Sequence, residues 1–370
     1  MRARASVGLA RAPTRRSRAT RCFSRASAPE RGISASPARV ERFHRAHGSS
    51  THRILVVGEG DFSFALALAR CAPRGWEITA TSLHSLEATE TSWEGGANVE
   101  ALRAMDGARV AHGVDATRLS TTFERGAFDR VCFNFPHAAG KGKIHANRAL
   151  LGGYIREALL VAPRGTIEVA LAPGQGGTAA DGARAREYGN SWQAYARGAE
   201  NGALLIECAP FDDAGWRALG YESRGHWRSA RAERGFQTAG GVAHVFCAED
   251  RARELGATCA YATPFTRDVS VWTDDADSDD AERVVVDAFD VARDGADVSA
   301  DVRRVDAWRD PESGRVSVTI RARVRSTTVP LTRERVRAFV DRARDVLRAR
   351  GRLRDAATGD ARWAGHSPKP

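Results

Sequence analysis

Two short runs in this 370-residue chain combine chemically capable residues with the chain signals that usually precede a site. The first is Gly58-Glu59-Gly60, followed at once by Asp61 and Ser63. Glycines let a backbone come close to a ligand, and a helix opening on such a turn offers unpaired N–H groups. Glu59 inside the turn would repel a pyrophosphate, so the turn suits a cationic or hydroxyl-rich ligand instead. The second run is Asn134-Phe135-Pro136-His137. An asparagine carbonyl can accept a proton from a planar nitrogen, proline fixes the turn, and an aromatic ring can stack on a base. His137 could serve as a base, because an imidazole titrates near neutral pH. Lys141 and Lys143, two of three lysines in the chain, follow in a glycine-flexed loop suited to phosphates. Asp115 is a third candidate. Each also has a plain reading: an ordinary βα start, a strand-to-loop turn with a surface histidine, a helix cap, a solvated loop.

The elements that must position these residues are those of a doubly wound α/β sheet. Ile54-Leu-Val-Val57 reads as a buried strand, and an Ala/Leu-rich helix runs from about Phe62 to Arg70. The turn between them lacks the third glycine of a dinucleotide fingerprint, and no Gly-Lys-Ser/Thr follows, which excludes a P-loop. Further strands are expected at 77–83, at 108–117 ending near Asp115, at 128–134 and at 165–172, with helices at 98–105, 147–161 and 190–201. The second of these strands ends in Thr81-Ser82, with Glu87 and Glu90 further on, so no acid stands at its end to hold a ribose. Residues 203–209 and 242–246 read as an antiparallel closing pair. An Asp at the end of a strand lies on the ligand-binding edge of an open sheet. The glycine-dense run Gly174-Gln-Gly-Gly-Thr178 is expected on the same rim.

The net charge of +10 suggests nucleic acid until it is localised. Residues 1–53 hold 13 Arg and two acids, a surplus of 11, so the remainder sums to 10 − 11 = −1. That leader is rich in Arg, Ser and Ala and has no long apolar run, which are the marks of an organellar transit peptide. The other reading of it is a basic arm that grips RNA. Import into a mitochondrion or plastid is therefore expected, with the cytoplasm or nucleolus as the alternative. No run of ~18 apolar residues suggests a membrane span. The six cysteines lack any Cys-x-x-Cys pair, which argues against a structural zinc or a disulfide framework.

After a short charged linker at 248–256, the pattern changes. Strand, helix, strand, strand, helix and a short last strand between 258 and 355 give a βαββαβ order with both helices on one sheet face. Between Arg315 and Arg325, alternation puts Val316, Val318, Ile320, Ala322 and Val324 inward. Arg321, Arg323 and Arg325 are left on an open face that suits RNA phosphates. From Arg303 to Arg354 there are 16 Arg against 6 acids. The expected organisation is thus a leader at 1–50, an α/β domain at 51–250, an α+β ferredoxin-like domain at 258–355 and a tail at 356–370.

Several motifs now combine. Gly58-Glu-Gly-Asp-Phe-Ser-Phe64, Val114-Asp-Ala-Thr117, Asn134-Phe-Pro-His137, Asn147-Arg148, Gly174-Gln-Gly-Gly-Thr178 and Asn190-Ser-Trp192 occur in that order. Together they resemble the Rossmann-like domain of yeast-type large-subunit rRNA uridine-N3 methyltransferases. Asn-Phe-Pro-His also resembles the Asn/Asp-Pro-Pro-aromatic corner of amino-group methyltransferases. The resemblance implies S-adenosylmethionine at Gly58, Glu59, Gly60, Asp61, Ser63 and Asp115. It implies a target base, and the chemistry, at Asn134, Pro136 and His137. The spacer after His137 reads Ala-Ala-Gly-Lys, where that family has more glycine. Pro264-Phe-Thr-Arg-Asp-Val-Ser-Val-Trp272, with Leu353-Arg354, resembles the anticodon-binding domain that ends phenylalanyl-tRNA synthetases. The fusion is similar to the ferredoxin-fold anticodon-binding-domain-containing proteins. The expectation is a methyltransferase acting on rRNA or tRNA, with no metal, no membrane and no defined protein partner. The alternatives are a noncatalytic RNA-binding factor and a synthetase-like accessory protein.

Overall fold

The computed structural model describes residues 52–92, 94–138, 144–224, 237–259, 261–274, 279–293 and 297–354. The predicted leader, Lys141, Lys143 and the tail lie outside the described residues. Among the described residues ten strands form two sheets, one of seven and one of three.

The larger sheet is built from β1 (Arg53–Val57), β2 (Glu77–Ser82), β3 (Ala108–His112), β4 (Arg130–Asn134), β5 (Thr166–Leu171), β6 (Ala203–Pro210) and β7 (Val242–Ala248). Its order is β3-β2-β1-β4-β5-β7-β6, with β7 antiparallel to both neighbours. The expected closing pair is therefore present. β1 is the hinge of the topology, because the chain turns outward from it in both directions. Ile54, Leu55, Val56 and Val57 are all buried, as a strand covered on both faces requires. Leu55 and Val57 pack on the face that holds α4 (Ile144–Val161), while Ile54 and Val56 pack on the face that holds α1 (Ser63–Cys71).

Some expectations need correction. β3 stops at His112, so Asp115 sits in the loop beyond the strand rather than at its end. Helices α2 (Leu86–Ser92) and α6 (Asp213–Ala218) gave no clear period in the sequence, being too short to show one. The remaining helices of this sheet are α3 (Gly96–Arg103) and α5 (Ala194–Glu200). The stretch read as a linker is α7 (Glu249–Leu255), whose Ala252 is buried in the same core as α4.

The smaller sheet has β8 (Phe265–Thr273), β9 (Ser299–Arg309) and β10 (Val316–Arg325) in the antiparallel order β8-β10-β9. A bridge from Val271 to Leu353 supplies the start of the last expected strand. α8 (Asp280–Ala292) and α9 (Arg333–Ala349) cover one face, with Phe289 and Phe339 5.3 Å apart between ring centroids. Val316, Val318, Ile320, Ala322 and Val324 are buried beneath them, as the alternation predicts. The βαββαβ arrangement is ferredoxin-like. The two sheets are joined by short polar contacts: the Leu331 N–H donates to Tyr195 Oη at 3.1 Å, and Arg335 pairs with Glu249 at 2.8 Å.

Candidate active site

The glycine turn and the asparagine corner meet in one cleft at the C-terminal edge of β1 and β4. The cleft measures about 210 Å³ and is lined by Gly58 to Asp61, Leu83, His84, Phe133 to His137, and Tyr221 to Arg224. Adjacent parallel strands explain the meeting: Val57 is in register with Phe133, so the two runs leave neighbouring strands at the same height.

At the first corner Gly58 has φ +72°, and a Cβ there would lie 2.2 Å from the Phe133 ring. Only glycine admits both that conformation and that ring. The Glu59 N–H donates to Thr81 O at 2.9 Å, tying the turn to the end of β2. Asp61 closes the turn into α1 by accepting from the Ser63 N–H at 3.0 Å and from the Ser63 hydroxyl at 2.8 Å. Phe62, between them, is forced to φ +61°. A bulky residue in that left-handed region is strained, and such strain gathers at functional sites.

Glu59 is only 7% exposed, and its carboxylate accepts from the Ala65 N–H at 3.1 Å. Burial, reinforced by the charge of Asp61, pushes its carboxyl up to about 8. Burial also raises Asp61, against the opposing effect of its Ser63 hydrogen bonds and Arg224. The cleft therefore carries acids whose charged forms are under-compensated.

At the second corner β4 ends at Asn134, whose Nδ2 is buried without a hydrogen-bond partner among the described residues. Phe135 follows at φ +48°; its N–H donates to Ala170 O at 2.8 Å and its ring packs edge-on against Phe211 at 4.8 Å. Those contacts hold the strained turn. Pro136 is buried and His137 exposed, with a His137 ring nitrogen 2.6 Å from Ala138 O. The Ala138 N–H donates to Asn147 Oδ1 at 3.1 Å, so the corner is pinned to α4.

No motif signals the third wall, Tyr221 to Arg224. Ser63 Oγ accepts from the Glu222 N–H at 2.9 Å, which fastens this strap to the glycine turn. Arg224 reaches Asp61 at 3.2 Å, Glu94 at 2.5 Å and Glu222 at 2.8 Å. The strap follows the glycine turn by about 160 residues and carries no motif; only folding reveals it.

The other predicted residues sort differently. Ser63 is buried and acts through Asp61 and the strap rather than by lining the cleft. Asp115 accepts from the Thr117 N–H and hydroxyl, both at 2.8 Å, as a turn-capping residue does. It lines a second cleft of about 490 Å³ with Thr117, Leu150 and Arg156, which shares Leu83 and His137 with the first. Leu83, 60% exposed, stands between the two.

The run Gly174 to Thr178 turns away from both clefts. A Cβ on Gly176 would lie 2.3 Å from His244 Nε2, and one on Gly177 would lie 2.2 Å from Ser191 Oγ. The Trp192 N–H donates to Gln175 O at 2.7 Å, and Arg148 donates to Ser191 O at 2.7 Å. These motif residues therefore brace one another behind the site.

On the smaller sheet, Arg321 is held by Asp268 in a two-pronged pair at 2.8 Å, and Arg325 pairs with Asp301 at 3.3 Å. The same face carries an aromatic patch that the sequence reading missed. Trp272 and Trp308 both stand opposite Ser317, Arg315 lies 4.4 Å over Trp272, and Arg354 lies 4.3 Å over Trp308. Among the described residues no group of three or more His, Cys, Asp or Glu is placed to hold a metal ion. No described helix is long and apolar enough to cross a membrane.

Known proteins match the part of the chain that holds this cleft. The family model for rRNA (uridine-N3-)-methyltransferases of the BMT5-like type matches residues 55–225, a span that begins in β1 and ends just past the strap. That span is a little under half of the chain. The matched span contains every residue that lines the first cleft.

Human ferredoxin-fold anticodon-binding domain-containing protein 1 is 37% identical over 203 residues, which are 52% of this chain and 30% of that protein. Heavy metal-associated isoprenylated plant protein 41 of Arabidopsis thaliana is 40% identical over 123 residues, 30% of this chain and 23% of that protein. The chain thus spans under a third of the length of these curated relatives. Among solved structures, TrmN from Thermus thermophilus aligns with TM-score 0.34 and 18% identity over 57% of this chain and 48% of that one. The 16S rRNA methyltransferase KamB aligns with TM-score 0.34 and 17% identity over 58% and 95%.

Proposed function

We propose that the chain is an S-adenosylmethionine-dependent RNA methyltransferase that acts on N3 of uridine, with residues 51–250 as catalytic domain and residues 258–355 as its RNA-docking domain. The observation that carries this reading is the single cleft shared by an acidic glycine turn and an asparagine corner with an unmade hydrogen bond. A sulfonium cofactor needs acidic, cation-accepting walls, and Glu59, Asp61 and Glu222 provide them. When bound, that cofactor supplies an electrophilic methyl group.

Asn134 is suited to a uracil edge, where an imide N–H sits between two carbonyls. Its orphaned Nδ2 would donate to a carbonyl, and its Oδ1 would receive the imide proton's hydrogen bond. His137, exposed beside it, is the other acceptor for the proton. Base assistance of this kind is worth ~10²–10⁴-fold, and alignment of the reacting atoms supplies much of the rest. Buried Pro136 and the Ala170 contact keep this corner rigid.

The Trp272–Trp308 patch supports RNA docking by stacking, alongside the arginine-rich stretch 303–354. The RNA is rRNA or tRNA, and the arginine-rich leader fits delivery to a mitochondrion or plastid. The test is nucleoside mass spectrometry of an RNA substrate incubated with the full chain, with Asn134→Ala and with His137→Ala. Full N3-methyluridine from both variants would sink the assignment.

A further inference from the structure

We infer that Glu59 selects by charge, giving up its own proton when the cleft takes in a sulfonium and recovering it when the cleft holds the neutral thioether product. This rests on the methyl-donor reading above and adds how that cleft would tell cofactor from product.

The geometry comes first. Glu59 is buried, lines the cleft and accepts from the Ala65 N–H of α1, which holds its carboxyl in the cleft wall rather than free to swing into solvent. The groups that face the same cleft are Asp61 from its own turn, His84 beyond β2, His137 beyond β4, and Tyr221, Glu222 and Arg224 from the strap. Arg224 spends its three nitrogens on Asp61, Glu94 and Glu222. A bound cation is then the natural counter-charge for Glu59.

The proton balance closes. Glu59 is mostly protonated at neutral pH, because burial and Asp61 push it up to about 8. Placing a sulfonium beside it favours the carboxylate, so one proton leaves to solvent as one cation enters. On transfer, the S–CH3 bond breaks with its electron pair going to sulfur, the N3–CH3 bond forms, and the imide proton is lost. The sulfur is now neutral, and Glu59 takes a proton back. Over the whole cycle one proton is released, as conversion of a sulfonium and an imide N–H to a thioether and an N-methyl imide demands.

The sign follows from linkage. Cofactor affinity rises about tenfold per pH unit up to about pH 8 and flattens above it, while affinity for the thioether product stays level across the same window.

The experiment is titration calorimetry of the full chain with S-adenosylmethionine and with S-adenosylhomocysteine, from about pH 6.5 to about pH 9 in buffers of different ionisation enthalpy. Expected is release of close to one proton with the first ligand near neutral pH and none with the second. Glu59→Gln, which keeps an acceptor for Ala65, removes the release and narrows the preference by about tenfold. His137→Ala retains the release. Equal pH slopes for the two ligands, or a proton still released by Glu59→Gln, would overturn the selector and leave the methyl-donor reading standing. If neither ligand binds the wild-type chain at any pH, that reading fails and the selector with it.

Discussion

The rim of the large sheet and the open face of the small one are both polar surfaces over a good core, yet they are finished differently. On the small sheet, charges are answered in register: Arg321 stands opposite Asp268, and Arg325 reaches Asp301 on the other neighbour. On the rim, Arg224 answers Asp61, Glu94 and Glu222, but other polar groups are left unanswered. Asn134 Nδ2 has no partner, Glu59 is buried with its acid form favoured, and Phe62 and Phe135 hold positive φ. Unmet hydrogen bonds, shifted acids and strained backbone each cost stability, so their gathering in one cleft marks where binding recovers that cost. An arginine row in which Arg321 and Arg325 are paired is a milder feature. It contributes to long-range attraction but offers little unspent binding energy until its aspartates let go.

The comparison can be broken most severely at Asn134. Asn134→Ala should lower methyl transfer by ~10²–10³-fold while leaving cofactor binding intact, since the lost bond is to the base; single-turnover rates alongside calorimetry would separate the two. Next is the turn itself. Gly58→Ala, at φ +72° and against the Phe133 ring, should destabilise the chain by about 2 kcal/mol or more, read as a shifted denaturant midpoint.

On the small sheet, Trp308→Ala should weaken binding of single-stranded RNA by about 1–2 kcal/mol with little change in salt dependence. Smallest is the contrast within the arginine row, measured as the slope of log affinity against log salt. Removing Arg323, for which no ion pair is seen among the described residues, should reduce that slope by about one. Removing Arg321 should reduce it less, because Asp268 already neutralises it. If Arg321→Ala proves the more damaging, the paired row is the working surface and the contrast drawn here fails.

Most of the site's two corners could be read along the chain because each is a local event: an apolar run stops, and glycines or a polar-proline turn follow. Gly58 and Asn134 are legible for that reason. The place of Asp115 is not legible because a hydrophobic run does not show where a strand's last ladder bond falls; β3 ends at His112, and the loop carries the acid to a neighbouring cleft. Gly174 to Thr178 was misjudged because a glycine required by a neighbour's side chain looks the same as one required by a ligand. His244 and Ser191, which those glycines make room for, arrive from other elements. The helix at 249–255 reads as a linker in the sequence because five of its seven residues are charged and no apolar stripe shows.

By itself the sequence determined the two layer types, the buried strand at 54–57, the inward valines of β10, and which residue types stand at the ends of β1 and β4. These follow from short-range periodicity and turn chemistry, which each segment carries wherever it is placed. The tertiary structure alone decided that a strap from residues 221–224 closes the cleft, that Arg224 is shared among three carboxylates, and that Asp268 and Asp301 meet the arginine row. It also decided how high Glu59 holds its proton. Burial, strand register and the approach of segments more than a hundred residues apart are properties of the assembled chain, and no single stretch of it encodes them.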